Sequence, residues 1–313
     1  MTNTTVRTGI AAFIGLGVMG EPMCRNLTLK RESAGLTEIR AFDIRPDPLR
    51  RLADQGAILA SSAIEAATGA DVVFVSLPGG NEVREILTGP AGLLDAMEPG
   101  AVFVDLSTSP VTLSRELAEK ADEKGIAYAD APVARTRQAA EQGTLAIMVG
   151  GEMQIFSRIE PLLHCFASDV LHCGGVGAGQ MVKILNNMIL FQNVVALSEA
   201  LTVARHAGMD GDVLFKALQS GSGDSFALRN HGLKALLPGV FPEQAFSTRY
   251  AAKDLSYALE LAEQYGLNLP GAETVRALFD QSDAAGFGDN YWPALINVID
   301  KKAKAEKDKK KPS

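Results

Sequence analysis

Short apolar runs, bounded by turn residues, recur through the first half of the chain. They are rich in Val, Ile, Ala and Phe, which predicts buried strands. The predicted strands are Gly9–Ile14, Ile39–Asp43, Asp71–Leu77, Ala101–Leu106, Ile126–Ala129 and Leu145–Val149. Because these runs are almost wholly apolar, they indicate strands that are covered on both faces, as in a parallel sheet.

Between several of these runs, apolar residues recur at helical spacing. The predicted helices of this half are Pro22–Lys30, Pro48–Gln55, Asn81–Leu87 and Thr112–Lys124. Strand–helix alternation of this kind predicts an α/β Rossmann domain with a doubly wound, mainly parallel sheet.

The second half of the chain shows no convincing strand after the glycine-rich stretch Gly174–Gly179. Its predicted helices are Gln180–Ala207, Gly211–Ser220, Ser247–Tyr265, Pro270–Ala285 and Trp292–Lys302. We therefore expect a Rossmann domain over residues 1–176, followed by an all-α domain over residues 177–300.

Composition and charge fit this division into two domains. The 313 residues are about twice the usual length of a single domain, and 47% of them are apolar.

The net charge of the chain, −7, is unevenly distributed. Residues 301–311 hold seven lysines against Glu306 and Asp308, a net charge of +5, which leaves −12 for the rest of the chain. The acidic body argues against nucleic-acid binding. The polar end, residues 301–313, is predicted to be a disordered basic tail.

Three further classes of protein are disfavoured. No uninterrupted apolar stretch reaches the ~18 residues of a membrane span, and the first residues lack the apolar run of a signal peptide, so we expect a cytoplasmic protein without membrane contact. Three cysteines are too few for a disulfide framework. The pairs His164-Cys165 and His172-Cys173 fit no usual zinc spacing, so no metal is expected.

The strongest chemical signal is the turn Gly15-x-Gly17-x-x-Gly20, which follows the first strand and opens a helix. Gly15 permits the tight turn, Gly17 lets the backbone approach a pyrophosphate, and Gly20 lets the helix pack closely. The anion would lie at the helix N-terminus, where Val18 and Met19 are further candidate contacts. A packing role alone is the less favoured alternative, because strand, turn, helix and a downstream acid all occur together.

That acid is Asp43, at the end of the second predicted strand. It is placed to accept hydrogen bonds from the adenosine ribose, and its charge would repel a 2′-phosphate, which favours NAD over NADP. Arg45 could accommodate that phosphate, so NADP stays possible.

Lys183 lies near the start of the long helix, and Asn186 and Asn187 follow three and four residues later on the same face. An ammonium group beside neutral amides can protonate a carbonyl oxygen during reduction and accept the proton during oxidation. On spacing alone, a solvated surface lysine would be the favoured alternative.

Together, these motifs resemble those of the β-hydroxyacid dehydrogenases, over residues 9–298. The matching segments are Phe13–Met23, Asp105–Pro110, Asp130–Val133, Gly143–Leu145, Gly177–Asn187 and Lys253–Leu255. The resemblance implies a nicotinamide-dependent enzyme that interconverts a small β-hydroxy acid and its semialdehyde.

The resemblance also implies roles for individual residues. Lys183 would be the catalytic acid and base, Asn187 a substrate partner with Asn186 beside it, and Lys253 a group at the cofactor. Leu77 and Thr108 would lie along the dinucleotide, and Pro78 is a further candidate there.

One segment departs from the family. Most members follow Pro-Val with Ser-Gly-Gly, which binds the substrate carboxylate, whereas this chain has Ala134-Arg135-Thr136. A guanidinium fork suits a sulfonate, phosphate or carboxylate, and the family's sulfolactaldehyde reductases carry a similar Gly-Arg-Thr. We therefore expect Arg135 and Thr136 to bind the anionic group of a hydroxy acid or aldehyde. The alternative is that Arg135 faces solvent or pairs with Glu141.

Two alternatives to a general β-hydroxyacid dehydrogenase stay open: a reductase specific for a sulfonated aldehyde, and a catalytically silent dinucleotide-binding scaffold. Scaffold relatives lose the lysine that this chain retains as Lys183. The runs Met188–Phe191 and Val194–Leu197 are apolar around much of the helix. This pattern predicts a homodimer or homotetramer.

Overall fold

A computed structural model describes residues 9–243 and 245–300. The chain divides between Lys183 and Ile184 into two compact units. The predicted basic tail, 301–313, lies outside the described residues.

Within the described residues, the first unit contains a single nine-stranded sheet. Its strands are β1 (Ile10–Ile14), β2 (Glu38–Phe42), β3 (Ile58–Leu59), β4 (Val72–Val75), β5 (Val102–Asp105), β6 (Ala127–Asp130), β7 (Val133–Ala134), β8 (Leu145–Gly150) and β9 (Ala167–Gly174). The spatial order is β3-β2-β1-β4-β5-β6-β8-β7, with β9 also paired to β8. Strands β1 to β6 are parallel and have the 3-2-1-4-5-6 order of a dinucleotide-binding fold, which confirms the predicted fold class.

The helices of this unit cover both faces of the sheet. They are α1 (Gly20–Leu29), α2 (Pro46–Ala53), α3 (Ala63–Ala67), α4 (Gly80–Thr88), α5 (Val111–Asp122), α6 (Arg137–Gln142) and α7 (Met153–Leu163). Alternate residues of the central strands enter two separate cores: Phe13 and Phe74 lie in one, and Ile14 and Val75 in the other. Burial on both faces explains why the strand sequences are apolar throughout.

The six predicted strands are all present, with ends shifted by at most two residues. Three strands were not predicted. β3 and β7 have two residues each, too few to show a period, and both residues of β3 are exposed. β9 was missed because much of it is polar and exposed or half-buried.

The second unit is helical. The helix α8 (Ala178–His206) runs across the division, and α9 (Gly211–Gln219), α10 (Thr248–Gln264) and α11 (Pro270–Ser282) follow. Two π-helical segments, Leu228–Leu236 and Asp283–Phe287, and a 3₁₀ turn at Trp292–Leu295 complete the named elements. The core of this unit surrounds the fully buried Trp292, whose ring lies 4.9 Å from that of Phe191.

The predicted helix Pro270–Ala285 is wrong at its end, because α11 stops at Ser282 and continues as a π-helical turn in which Gly286 has φ +91°. The predicted helix from Trp292 begins as the 3₁₀ turn, and its last residues, 301 and 302, lie outside the described residues.

Helix α8 is long and apolar enough to cross a membrane. Half of its most apolar window is buried within the chain, and Ile184, Phe191 and Leu201 are fully buried. This burial is typical of a core helix in a folded unit.

Candidate active site

The glycine turn lies between β1 and α1, at the carboxyl edge of the sheet. Gly15 has φ +89°, and a Cβ on it would overlap the carbonyl oxygen of Ser76. A Cβ on Gly20 would overlap the carbonyl oxygen of Gly15. The chain's own packing therefore requires glycine at both positions.

Gly17 differs from its two neighbours. A Cβ on it would meet no atom of the described residues within 4 Å, and its φ is not positive. Nothing in the described part of the chain therefore requires glycine here, and the open space suits a ligand that approaches the backbone closely. A pyrophosphate at the N-terminus of α1 fits this space, with the half-exposed Val18 and the partly buried Met19 beside it. The turn is thus suited to a dinucleotide.

Asp43 follows β2 and is tied to the same turn. Its Oδ2 accepts the backbone N–H of Leu16 at 2.6 Å, and its Oδ1 accepts the Arg45 backbone N–H at 2.8 Å and Nε at 3.1 Å. Burial would raise the pKa of Asp43, but the hydrogen bonds from Arg45 and Leu16 outweigh it and leave that pKa below its ordinary value. The Arg45 guanidinium also donates to the Leu16 carbonyl at 2.9 Å. A negative charge and its partner arginine therefore lie together beside the glycine turn.

The remaining predicted cofactor residues of the first unit follow β4 and β5. The backbone N–H of Leu77 donates to Ser107 Oγ at 2.9 Å, and Thr108 beside it is half-buried. Pro78 is exposed. Because β1, β4 and β5 are parallel, these residues share the carboxyl edge with the glycine turn.

A buried polar network that the sequence did not predict joins this edge to the start of α8. Asp105 accepts the N–H of Ser107 at 2.8 Å and the hydroxyl of Ser109 at 2.8 Å. The Gln180 side chain donates to the Ser107 carbonyl at 2.8 Å and accepts the N–H of Ser109 at 3.0 Å. Asp130 accepts two backbone N–H groups of the same helix start. The first turn of α8 is thus fixed to the sheet edge.

Lys183 lies one turn beyond Gln180 on α8 and is half-buried. Its position follows from that attachment, because a continuous helix transmits the placement of its first turn to the next. The structure therefore places Lys183 one helical turn beyond the groups that attach α8 to the sheet edge, within the same compact unit as the cofactor turn.

In the second unit, Asn187 is buried and donates to Asp254 Oδ2 at 2.8 Å, while the exposed Asn186 donates to Asn187 Oδ1 at 3.3 Å. The Lys253 ammonium lies 3.1 Å from Asp254 Oδ1 and 5.4 and 5.3 Å from the ring centres of Tyr250 and Tyr257. Asp254 therefore joins two predicted site residues. In the sequence, Asp254 is distinguished only as the middle residue of the segment Lys253–Leu255.

The Arg135 side chain is engaged at the edge of the sheet. It donates to the Thr144 carbonyl at 2.6 Å, to Ser168 Oγ at 2.7 Å and to Asp169 Oδ2 at 2.7 Å. Its partner is thus Asp169 and not Glu141, which Arg137 binds at 2.9 Å instead.

Thr136 begins α6. Its hydroxyl accepts the N–H of Ala139 at 3.4 Å, as an N-cap residue does. A substrate role for Arg135 and Thr136 stays a prediction.

No group of three or more His, Cys, Asp or Glu side chains in the described ranges could hold a metal ion. His172 contacts the Gly151 carbonyl at 2.8 Å, and His164 contacts the Ala167 carbonyl at 3.4 Å. Both rings are thus placed by backbone contacts.

Two family models cover nearly all of the chain. Residues 10–175 match the NAD binding domain of 6-phosphogluconate dehydrogenase. Residues 177–299 match the NAD-binding domain of NADP-dependent 3-hydroxyisobutyrate dehydrogenase.

Relatives align with this chain over most of their length. The 2-(hydroxymethyl)glutarate dehydrogenase of Eubacterium barkeri is 36% identical over 286 residues, 91% of this chain and 93% of its own. The 3-hydroxyisobutyrate dehydrogenase of Pseudomonas aeruginosa is 36% identical, over 90% and 95% of the two chains. The 3-sulfolactaldehyde reductase of Escherichia coli is 31% identical, over 92% and 95%.

A solved structure agrees in fold. The 3-hydroxyisobutyrate dehydrogenase of Mycobacterium tuberculosis, determined with L-serine, superposes with a TM-score of 0.82 at 33% identity, over 93% of this chain and 99% of that one. The glycine turn, the sheet order and these relatives agree with one another. The chain therefore belongs to the β-hydroxyacid dehydrogenase family and is an NAD(P)-dependent dehydrogenase of hydroxy acids.

Proposed function

We propose that the enzyme interconverts a small β-hydroxy acid, or a related anionic hydroxy compound, and its semialdehyde, with Lys183 as the general acid and base. The observation that carries this proposal is the attachment of the first turn of α8 to the carboxyl edge of the sheet through Gln180 and Asp130. Lys183 follows one turn later, close to the edge where the glycine turn lies. We therefore expect this proton donor to lie beside the nicotinamide when the cofactor is bound.

When bound, the nicotinamide supplies or accepts the hydride. In reduction, the Lys183 ammonium donates a proton to the oxygen of the carbonyl group, and in oxidation the neutral amine takes the proton from the hydroxyl. Asn187 lies four residues later on the same helix face, so its amide can hold the same substrate. Asp254 accepts an N–H of that amide and so fixes its orientation.

NAD is the proposed preferred cofactor. Asp43 stays ionised at neutral pH, because its hydrogen bonds hold its pKa below the ordinary value, and this charge opposes a 2′-phosphate. Arg45 partly offsets the charge at 3.1 Å, so NADP should still bind, more weakly.

The substrate's anionic group is assigned to Arg135, with Thr136 beside it. The guanidinium is exposed at 38%, and three of its hydrogen bonds are to groups at the sheet edge. A substrate anion would have to share this guanidinium with Asp169. A sulfonated aldehyde is the second candidate substrate, supported by Arg135 and by the similarity to a 3-sulfolactaldehyde reductase.

The test is a panel of carboxylated, sulfonated and phosphorylated hydroxy compounds assayed with NAD and NADP, on wild type and Lys183→Met. Loss of the proton donor should lower kcat by about 10²–10⁴-fold. The control is Lys216→Met, an exposed lysine on α9 outside the proposed site. If the enzyme oxidises none of these compounds, the proposed substrate class is wrong. A kcat for Lys183→Met within threefold of wild type, a difference in activation free energy of about 0.7 kcal/mol, would overturn the role of the lysine.

We also propose that the second unit supports a homodimer or homotetramer. The helix α8 is mainly apolar, and two of its apolar side chains, Ile189 and Val203, are 56% and 68% exposed in the single chain. Covering such side chains favours association. Light scattering at micromolar concentration should give two or four subunits, and a monomer alone would contradict this proposal.

We propose a cytoplasmic location. Cys24, Cys165 and Cys173 are all free thiols, which suits a reducing compartment. Cell fractionation tests this, and recovery outside the cytoplasm would contradict it.

A further inference from the structure

A buried carboxylate that the proposed chemistry does not use lies at the first turn of α8. Asp130, the last residue of β6, is 0% exposed. Its Oδ1 accepts the backbone N–H of Gly177 at 2.6 Å, and its Oδ2 accepts the backbone N–H of Gln180 at 2.7 Å. Gly177 immediately precedes the helix, has φ +88° and has no side chain that could cap it. Asp130 therefore does for α8, from another element, what an N-cap side chain usually does.

Two glycines make room for this carboxylate. A Cβ on Gly150, in β8, would overlap Asp130 Oδ1. A Cβ on Gly179, in the first turn of α8, would lie 2.9 Å from Asp130 Oδ2 and would overlap the Met148 carbonyl oxygen. A strand and a helix are thus both shaped around one side chain.

We propose that Asp130 is a positioning residue, which holds the first turn of α8 where Lys183 must be for proton transfer. The inference rests on the proposed role of Lys183, which lies three residues beyond Gln180. Two of the unpaired N–H groups at the helix start are satisfied by a full negative charge, at the end of the helix dipole that favours it. A displacement of about 1 Å at the reacting group can lower the rate about a hundredfold, so a loosened first turn would reduce turnover.

The charge of Asp130 is held in unfavourable surroundings. Burial raises its pKa to about 6, against the lowering effect of the Gly177 and Gln180 N–H groups, and the carboxylate of Asp105 on β5 raises it further. The other titratable groups that sense this charge are Tyr128 on β6 and Cys173 on β9. Burial raises the pKa of each, so both are neutral at pH 7.

The sign of the pH effect follows from this geometry. Both carboxylate oxygens accept an N–H, so a proton on either one weakens the cap. Because the folded pKa is raised, this group's contribution to stability is fully present below its unfolded pKa and is lost as pH rises through about 6. Protonation of Asp130 below about pH 6 should loosen the first turn of α8, because it weakens the cap. It does not lower global stability, because the raised pKa means that the folded chain binds this proton more tightly than the unfolded chain does.

The main test is Asp130→Asn, which keeps the size, removes the charge and sets an amide N–H₂ against one of the two backbone donors. We expect kcat to fall by about 10–100-fold, with the KM for the cofactor changed much less. Amide hydrogen exchange should become at least about tenfold faster over residues 177–183, and not across the sheet.

The matched control is Asp210→Asn. Asp210 caps α9, a helix without predicted site residues, by accepting the N–H of Asp212 at 2.7 Å and of Val213 at 3.4 Å. Exchange should quicken at the start of α9 while kcat stays at the wild-type value. An equal loss of kcat in this control would show a general effect of weakened capping and would overturn the proposal.

The outcomes separate this inference from the proposed function. Activity retained in Asp130→Asn but lost in Lys183→Met overturns the inference alone. Activity retained in Lys183→Met overturns the proposed function, while exchange over residues 177–183 still reports whether Asp130 caps the helix. Exchange that rises equally throughout the first unit of Asp130→Asn would reveal a merely structural role and would overturn the inference.

If Asp130→Asn does not fold, the wild-type enzyme provides the test. In NMR spectra, the amide protons of Gly177 and Gln180 should shift together as the pH is lowered from 8 to 5, with a midpoint near the pKa of about 6. Resonances that do not move over this range would overturn the proposal.

Discussion

Two backbone positions of the first unit have nearly the same left-handed conformation: Gly15, with φ +89°, and Arg135, with φ +84°. At Gly15, the packing against Ser76 excludes any side chain. Arg135 is the one non-glycine residue in the described part of the chain with a positive φ, a conformation that costs a side chain about 1–2 kcal/mol. Three hydrogen bonds of its guanidinium hold it there. The conformation at the cofactor turn thus follows from backbone packing, whereas the conformation at Arg135 is held by hydrogen bonds of its own side chain.

The largest effect should come from the glycine turn. Gly15→Ala would add both the overlap with Ser76 and the left-handed strain, so we expect a loss of about 2–4 kcal/mol in unfolding free energy, measured by chemical denaturation. Gly17→Ala is the matched control. With no atom within 4 Å of the new Cβ, its stability should change by less than about 0.5 kcal/mol, while the KM for NAD should rise at least about tenfold.

A stable Gly17→Ala variant with unchanged KM for NAD would show that the dinucleotide does not occupy the open space at Gly17. Equal stability losses in the two variants would contradict the distinction between glycines that the fold requires and the glycine that the ligand requires.

A smaller effect is expected at the neighbouring cofactor contact. Arg45→Ala should leave the charge of Asp43 without its partner and remove the donor that we assign to a 2′-phosphate. The ratio of kcat/KM for NAD over NADP should therefore increase by about three- to tenfold. The control is Arg50→Ala, an exposed arginine that pairs with Asp47 on α2. A shift toward NADP would contradict the assigned role of Arg45.

The smallest expected effect concerns the partner of Arg135. Ser168 and Arg135 hold the pKa of Asp169 below its ordinary value, so Asp169 is ionised at neutral pH and competes with a substrate anion. Asp169→Asn should lower the KM for an anionic substrate, by at most about fivefold, because the pair is exposed. An increase in KM would mean that Asp169 holds the guanidinium in its binding position.

The sequence predicts those parts of the molecule that depend on local constraints. The glycine turn, the acid after β2 and the long helix with Lys183 each follow from a short motif or a period. The partners of Arg135 could not be predicted in this way: Glu141 is close in sequence, but the actual partner, Asp169, lies 34 residues away on β9.

The same limit applies to the residues that support the site. Asp130 and the N–H of Gly177 are 47 residues apart, and Asn187 and Asp254 are 67 residues apart. No local pattern joins such pairs. Their contacts arise only when strands and helices pack together, which explains why the sequence identified the motifs but not the network that positions them.

We propose that the glycine turn binds the cofactor and that Arg135 selects the substrate. This proposal is tested most directly by Arg135→Gly, with two aldehydes that differ only in bearing a terminal sulfonate or a methyl group. Glycine suits the left-handed backbone, and Arg137→Ala serves as the control. The ratio of kcat/KM for the sulfonated over the methyl aldehyde should fall by at least about tenfold in Arg135→Gly, because a charge-assisted hydrogen bond contributes about 1.5–3 kcal/mol. A ratio equal to that of wild type would contradict the proposed role of Arg135 in substrate selection.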